Sequence, residues 1–540
     1  HVGVLRVLER AGVRVDIVTG TSMGSVVGGL YAIGTPVDSI ARIIENVDWD
    51  IALTDDAERS RRFLHQRRFD ERAVAQLPIE GGIVDLAAGA TIGSNVIRLA
   101  ELTMWPAATV RSFATFPRPF AAVATDIETG EAVRLGSGVL SEVVRASIGI
   151  PGIFEPFELD GRLLVDGAVS RNLPAVDARD LGADIVVCSD VSDPLSSREE
   201  LASIVDVLGQ VLTLSMRRSN EEQRALCDVV IRPDIDGLSG QAFDRYEEWF
   251  GRGEDAATAE MDALRRVAAR QTGLVRDGSG VMPGQTDVLR APGRASALLP
   301  DSVRVVAVVV EGSSREQTRD FVYEELGVTA GDYVTPARLA YRLSDLDATG
   351  LFGLVRYRLD RTAGGVSLTV VADERPRDRV GVGLRYDDER RAALLFTATM
   401  HNLVRYGSVT RPDLRVGEET RVSASYLRRH GVTGRLEGGS TLAWSQSELR
   451  LPGLARPTTG LDITSLSTVL GLVVGRGSFV GVELVGEWAT ADADALPDVL
   501  LASGAVVLDH ESLDRIDFPH SGRDGTVRWE TGVTDRPGTG

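Results

Sequence analysis

Apolar positions change their spacing several times along the chain. Near the start, Val15, Ile17 and Val18 form a short apolar run that predicts a buried strand. The small and apolar residues from Ser25 through Val26, Val27, Gly28, Gly29 and Leu30 to Ala32 predict a tightly packed helix. Residues 273–300 are rich in Gly, Pro, Ser and Asp without sustained periodicity, which predicts a linker. A compact unit follows. Residues 303–310 read as a strand and 315–326 as a helix ending at Gly327. Thr335 caps a second helix with Pro336 at its first position, and Leu339, Leu343 and Leu346 share one of its faces. Residues 354–359 and 366–371 read as strands joined by Thr362-Ala363-Gly364-Gly365, a hairpin signal. From Arg379 onward the helical spacing gives way to alternation. Val382, Leu384 and Tyr386 share a parity, as do Val422, Ala424 and Tyr426, then Leu436, Leu442 and Trp444, then Val480, Val482, Leu484 and Trp488. The opposite parity is charged or small. About eight such strands are readable, and they suit either a transmembrane β-barrel with a polar lumen or a soluble β-sandwich.

The first strand–helix junction carries the candidate chemistry. Gly20-Thr21-Ser22-Met23-Gly24 is a G-x-S-x-G pentapeptide. A serine on such an elbow is pushed out of the ladder at a helix N-terminus, where an oxyanion is stabilised. Side chains at Gly20 and Gly24 are expected to collide where strand and helix cross. The histidines are His1, His65, His401, His430, His510 and His520, so none lies between His65 and His401. A Ser…Asp…His order therefore cannot be completed in the first half of the chain. Either Ser22 is inert or a carboxylate is its direct base. Asp166 is the best carboxylate, because it closes the apolar run 162–166 and is followed by Gly167 and Ala168. The plainer reading of Asp166 is a turn aspartate. Nothing in the spacing favours His1 or His65 as a base, and Arg145 is expected to sit at the surface or in a structural pair. With no H-E-x-x-H and no acidic calcium-loop pattern, neither a metal nor a cofactor is expected.

These residues carry a family resemblance. Residues 1–272 resemble the patatin-like phospholipase domain, a Ser–Asp dyad lipid acyl hydrolase of α/β fold. Residues 1–9 resemble its first helix, 20–25 its nucleophile elbow, 124–131 a mid-domain strand and turn, and 145–154 the segment leading to the base. Asp166-Gly167-Ala168 resembles the D-G-[GA] motif, and Asn172-Leu173-Pro174 and Leu181-Gly182-Ala183-Asp184 follow it. The resemblance implies Ser22 as nucleophile, Asp166 as base, Met23 as an oxyanion N–H donor, and Gly20, Gly24, Gly167 and Ala168 as structural positions of the motifs. It implies a phospholipid or related acyl-ester lipid as substrate. In the family a glycine-rich loop before the first helix supplies further oxyanion donors. The chain starts at His1, after the place of that loop, so a fragment of low activity on its own is expected.

The unit 303–375, of order β-α-α-β-β with Gly350-Leu351-Phe352 entering the second strand, resembles a POTRA domain, although a generic small α+β domain would have the same order. Such modules pass nascent chains along by β-augmentation. Residues 379–540 resemble an outer-membrane assembly barrel through His401-Asn402-Leu403 and through the D-x-x-x-F-P-x-x-G-like run 514–522. That barrel has about sixteen strands, so an incomplete barrel, cut at its far end, is expected. The whole order resembles the patatin-type autotransporters of the type V secretion class. It implies a bacterial outer-membrane location through the barrel, a hydrolase domain surface-exposed or secreted, and contact with barrel-assembly machinery. The alternative is an assembly or translocation protein whose patatin-like passenger is inactive.

Composition narrows the rest. A net charge of −19 over 540 residues argues against nucleic acid as a partner. Hydrophobic residues make up 43%, enough for ordinary folded cores. The two cysteines, Cys188 and Cys227, lack metal-ligand spacing and are expected to stay unjoined, with Cys188 a small core residue. No apolar run reaches the length of a transmembrane helix, which leaves barrel strands open.

Overall fold

The computed structural model describes residues 1–55, 75–80, 83–84, 89–192, 195, 198, 204–238, 245–276, 298–313, 315–374, 378–387, 391–430, 436–450, 458–474, 477–492, 498–513 and 523–535. His65, the motif 514–522 and residues 277–297 of the expected linker lie outside them.

The first unit is built on a small mixed sheet. Helix α1 (Val2–Arg10) leads to strand β1 (Val18–Thr21) and helix α2 (Met23–Ala32). Strand β1 starts later than the apolar run suggested, where the Val18 N–H reaches the Pro119 carbonyl. Val15 lies in the preceding loop and still packs against the core. After a detached strand β2 (Ala75–Glu80) and helix α3 (Ser94–Thr103), strand β3 (Phe120–Asp126) pairs parallel with β1. All seven residues of β3 are buried, as expected for the centre of a sheet covered on both faces. Strand β4 (Ala132–Leu135) pairs antiparallel with β3, and helix α4 (Leu140–Ser147) follows. Strands β5 (Phe157–Leu159) and β6 (Arg162–Asp166) complete the order β1-β3-β6-β5. Leu30, Phe113, Phe116, Phe120, Leu140 and Val143 pack beneath it.

Strand β7 (Val187–Ser189), helix α5 (Ile204–Arg224) and strand β8 (Val229–Ile231) extend this unit, with β7 and β8 parallel. Here one expectation is overturned: Cys188 and Cys227 form a disulfide, with Cα atoms 6.0 Å apart. The cause is non-local. Cys188 sits opposite Val230 in the β7–β8 register, which brings Cys227, in the turn feeding β8, alongside it. The bridge spans a sequence separation of 39, so replacing both cysteines with alanine is expected to cost about 2–4 kcal/mol. A denaturation midpoint unchanged by the double substitution would refute that. Helix Met261–Arg276 runs past Gly273, so the irregular linker cannot begin there.

The second unit places strand β9 (Val303–Glu311), helix α6 (Glu316–Leu326), strand β10 (Tyr333–Val334) and helix α7 (Pro336–Asp347) before strands β11 (Val355–Thr362) and β12 (Gly365–Ala372). The Thr335 side chain accepts the Arg338 N–H, and Gly327 closes α6 at φ +55°. Strand β10, too short to show as a pattern, sits at one edge of the order β10-β9-β12-β11. Leu339, Leu343 and Leu346 face the core, which also takes in Trp105 from the first unit.

The third unit runs through β13 (Arg379–Asp387), β14 (Arg391–His401), β15 (Ser408–Val416), β16 (Thr420–His430), β17 (Leu436–Arg450), β18 (Thr458–Val474), β19 (Ser478–Ala491), β20 (Val499–Glu511) and β21 (Asp524–Asp535). These nine described strands, one more than the sequence pattern separates, pair antiparallel in chain order. Strand β2 of the first unit pairs with β13, and Ile83–Val84 pairs with β2. The burial is inverted relative to a water-soluble sheet. Leu384, Leu442, Leu484 and Trp488 are 55–65% exposed, while Arg411, Asp413, Glu437 and Asp509 are buried. On that covered face Thr397 donates to Asp413 at 2.5 Å and Arg411 donates to Thr397 at 2.8 Å. No helix among the described residues is long and apolar enough to cross a membrane.

Candidate active site

Ser22 lies between β1 and α2 with φ 52° and ψ −127°, a left-handed conformation that non-glycine residues rarely hold. The elbow is possible because Gly20 has no side chain: a Cβ there would stand 2.2 Å from the Gly24 carbonyl oxygen. Gly24 does not meet the same expectation. A Cβ at Gly24 would meet only the His1 ring at 3.6 Å, ordinary contact, because it is Gly24's backbone that fills the space Gly20 leaves. Gly167 is constrained in turn, since its Cβ would stand 2.2 Å from the Val123 carbonyl oxygen.

Asp166 ends β6, and β3 carries it toward the elbow through antiparallel pairing with Ala124. Ser22 Oγ donates to Asp166 Oδ2 at 2.7 Å across 144 residues of sequence. Asp166 Oδ1 accepts the Ala168 N–H at 2.8 Å, so Ala168 contributes through its backbone. Thr125 Oγ1 donates to the Asp166 carbonyl at 2.9 Å, and the Asp166 N–H donates to Gly149 at 2.8 Å. The carboxylate is thus fixed at both ends. Burial pushes the Asp166 carboxyl up to about 6, against the opposing pull of the Ser22 hydroxyl and the Ala168 N–H.

Ser147 was given no role of its own in the sequence, yet it holds the backbone of Ser22. Its Oγ accepts the Ser22 N–H at 3.1 Å and donates to the Val123 carbonyl at 2.6 Å. Its signal in the sequence was its place in the 145–154 segment that resembles the family's approach to the base. Met23 is the first residue of α2, where N–H groups lack intrahelical acceptors. Arg145 is in a structural pair and not at the surface: it is 1% exposed and donates to the carbonyls of Ile92 at 2.6 Å and Glu155 at 2.9 Å. It lies over the Phe154 and Phe157 rings. His1 Nδ1 lies 2.9 Å from Ser189 Oγ, so its ring pairs there and not with Ser22. Among the described residues no group of three or more His, Cys, Asp or Glu is placed to hold a metal ion.

A half-buried serine bonded to a buried carboxylate on a strained strand–helix elbow is an arrangement chemically capable of acyl transfer. Comparison with known proteins agrees on the class of the first unit: residues 1–179 match the family model of patatin-like phospholipases. That part of the chain carries a patatin-like phospholipase domain. An uncharacterized NTE family protein of Mycobacterium tuberculosis is 32% identical over 187 residues, 35% of this chain and 44% of that protein. Patatin-like phospholipase domain-containing protein 6 of Mus musculus is 26% identical over 283 residues, 47% of this chain and 19% of the relative. Lysophospholipase NTE1 of Mycosarcoma maydis is 24% identical over 51% of this chain and 15% of its own length. The chain therefore spans less than half the length of each of these relatives. Among solved structures, BamA from Haemophilus ducreyi lacking POTRA domains 1–3 aligns over 43% of this chain and 48% of its own, with a TM-score of 0.36 and 14% identity. CdiB from Acinetobacter baumannii aligns over 56% and 61% respectively, with a TM-score of 0.30 and 13% identity.

Proposed function

We propose that the chain is a lipid acyl hydrolase working through a Ser22–Asp166 dyad and held at the bacterial outer membrane by its third unit. The 2.7 Å bond between Ser22 Oγ and Asp166 Oδ2 carries the reading. Asp166 takes the Ser22 proton as Oγ attacks the ester carbonyl carbon, and the oxyanion that forms lies toward the Met23 N–H. The tetrahedral intermediate expels the alcohol, which leaves with the proton from Asp166. Asp166 then takes a proton from water, the hydroxide attacks the acyl-serine carbonyl, and Ser22 Oγ recovers the proton as the fatty acid departs.

A carboxylate base near its ordinary pKa of 3.8 would be weak at neutral pH; one near 6 is better matched to an alcohol. Only the ionised form accepts the proton. The dependence of kcat/KM on pH is therefore expected to rise through about 6 and level off above it. A rate still climbing steeply at pH 8 would place the proton on some other group.

The membrane part of the reading is supported by the inverted sheet. Apolar residues on its outward face and charged residues on its covered face suit lipid outside and a polar interior. The disulfide fits export to an oxidising compartment. The experiment is labelling of fractionated cells with an alkyl fluorophosphonate. Covalent addition is expected on the peptide containing Ser22, in the outer-membrane or secreted fraction, and is expected to vanish in Ser22→Ala. Addition to a different residue, or only in the cytoplasmic fraction, would contradict the proposal.

A further inference from the structure

Helix α4 is bonded to both members of the dyad at one end. Ser147, its last residue, accepts the Ser22 N–H through Oγ at 3.1 Å and the Gly167 N–H through its carbonyl at 3.4 Å. Two residues on, the Gly149 carbonyl accepts the Asp166 N–H at 2.8 Å. A shift of this helix end would therefore change where Ser22 Oγ stands against the Asp166 carboxylate. The other end has no ordinary cap. Its N-cap is Val139, which makes no side-chain bond to the first-turn N–H groups.

The first turn is tied instead to the second unit. Glu142 Oε1 lies 2.7 Å from Arg356 Nε and 3.3 Å from Arg358 Nε, both of β11. The Glu142 side chain is 4% exposed and that of Arg356 19%, so solvent screens the contact little. Val355, Tyr357 and Leu359 are buried in the second unit's core, so strand periodicity brings Arg356 and Arg358 together on the opposite face. Arg356 also lies over the Phe157 ring, as does Arg145 of α4. Strand β11 is fixed in turn. Arg98 Nη2 of α3 donates to the Val355 carbonyl at 2.6 Å, and Glu101 Oε1 accepts the Tyr357 N–H at 3.0 Å. Arg98 pairs besides with Glu101 at 2.5 Å and with Asp347 at 2.9 Å.

We propose that Arg356 and Arg358 are positioning residues for ester hydrolysis, acting through Glu142 and α4 on Ser147 and so on the dyad. The catalytic part rests on the Ser22–Asp166 reading; the mechanical link does not. Glu142 and Ser147 stand on one helix, separated by about 7.5 Å of its axis. Over that length a helix moves as a rod, so freeing its first turn is felt at its last. A displacement of about 1 Å at a reacting group can cost on the order of a hundredfold in rate. The second unit is thus a working part of the hydrolase and not only its neighbour.

The experiment uses the full-length chain in detergent and two readouts, ester hydrolysis and amide hydrogen exchange. Glu142→Gln/Arg356→Gln/Arg358→Gln removes the clamp without stranding a buried charge. It is expected to lower kcat about tenfold or more, with KM within about twofold of the natural value. Exchange at the Ser22 and Gly167 amides is expected to quicken about tenfold, while that of β7 and β8 stays unchanged. Arg356→Lys/Arg358→Lys keeps a cation beside Glu142 and is expected to restore most of kcat and the slow exchange. Arg358→Gln leaves the 2.7 Å pair in place and serves if the triple variant does not fold. About threefold faster exchange at Ser22 and Gly167 is expected of it. Undiminished kcat in a folded triple variant, unchanged exchange at Ser22 and Gly167, exchange quickened throughout the unit, or equal loss with the lysines would each overturn the proposal. A natural chain that cleaves no ester would remove the dyad reading, and the exchange comparison would still decide whether the clamp reaches Ser22.

Discussion

Replacing Asp166 with asparagine is expected to lower kcat/KM for ester hydrolysis by about two to four orders of magnitude, the usual worth of a positioned general base. The same change is expected to make the patatin-like unit more stable at pH 8. Asparagine is nearly isosteric: its amide oxygen can accept the Ala168 N–H, and its NH2 can donate to Ser22 Oγ. What it removes is a charge held where solvation is poor. The carboxyl's pKa is about 6 in the fold and 3.8 as the ordinary value, so its folded pKa is raised. For such a group the favourable contribution is complete below about 3.8 and is lost as pH rises through about 6. At pH 8 the ionised carboxylate therefore costs up to about 3 kcal/mol, which Asp166→Asn relieves. Melting curves at pH 5 and pH 8 check this. The natural chain should lose stability between them and the variant should lose less. A variant that is inactive but equally pH-sensitive would mean that Asp166 is not the strained group. Intact activity would end the dyad reading altogether.

The second large effect concerns the elbow's two glycines, which the pentapeptide pattern treats alike. Gly20→Ala drives a methyl group to 2.2 Å from the Gly24 carbonyl oxygen and 2.8 Å from the Ser25 nitrogen. Both are backbone atoms and cannot swing aside. The strand must part from the helix, at a cost on the order of 4 kcal/mol or more, and Ser22 should lose its bond to Asp166. Gly24→Ala meets a single side-chain atom at 3.6 Å and sits in a helix, where alanine is the better former. It is expected to keep the fold and most of the activity. Circular dichroism and ester hydrolysis of the two variants separate these outcomes. Equal damage from both would show that the pattern, and not the geometry described here, governs the turn.

These two glycines also show what was legible in the sequence. The motif located the elbow, and the histidine-free interval from His65 to His401 directed attention to Asp166 as a carboxylate partner. It could not say which glycine faces a backbone, because that depends on how strand and helix cross. Period-two spacing revealed the outward apolar face of β13–β21, since every second residue lies on one side of a strand. The helix capped by Thr335 was equally plain, being written in adjacent residues. Pairings between distant segments were not. The Cys188–Cys227 bridge depends on β7 lying beside β8, and the contacts of Arg98 and Glu101 reach 257 and 256 residues along the chain. Ser147 lay within the family-like segment 145–154, but its role could not be read because its bonds to Ser22 and Val123 join distant segments.

The reversed sheet makes contrary demands of the medium. Leu384, Leu442, Leu484 and Trp488 suit a hydrocarbon-like surrounding, whereas the first unit packs Leu30, Leu140, Phe113, Phe116 and Phe120 into an interior core. On the proposed outer-membrane reading, one molecule would straddle two solvents: a micelle or bilayer around the third unit, and the aqueous phase in which Ser22 would meet the water that completes turnover.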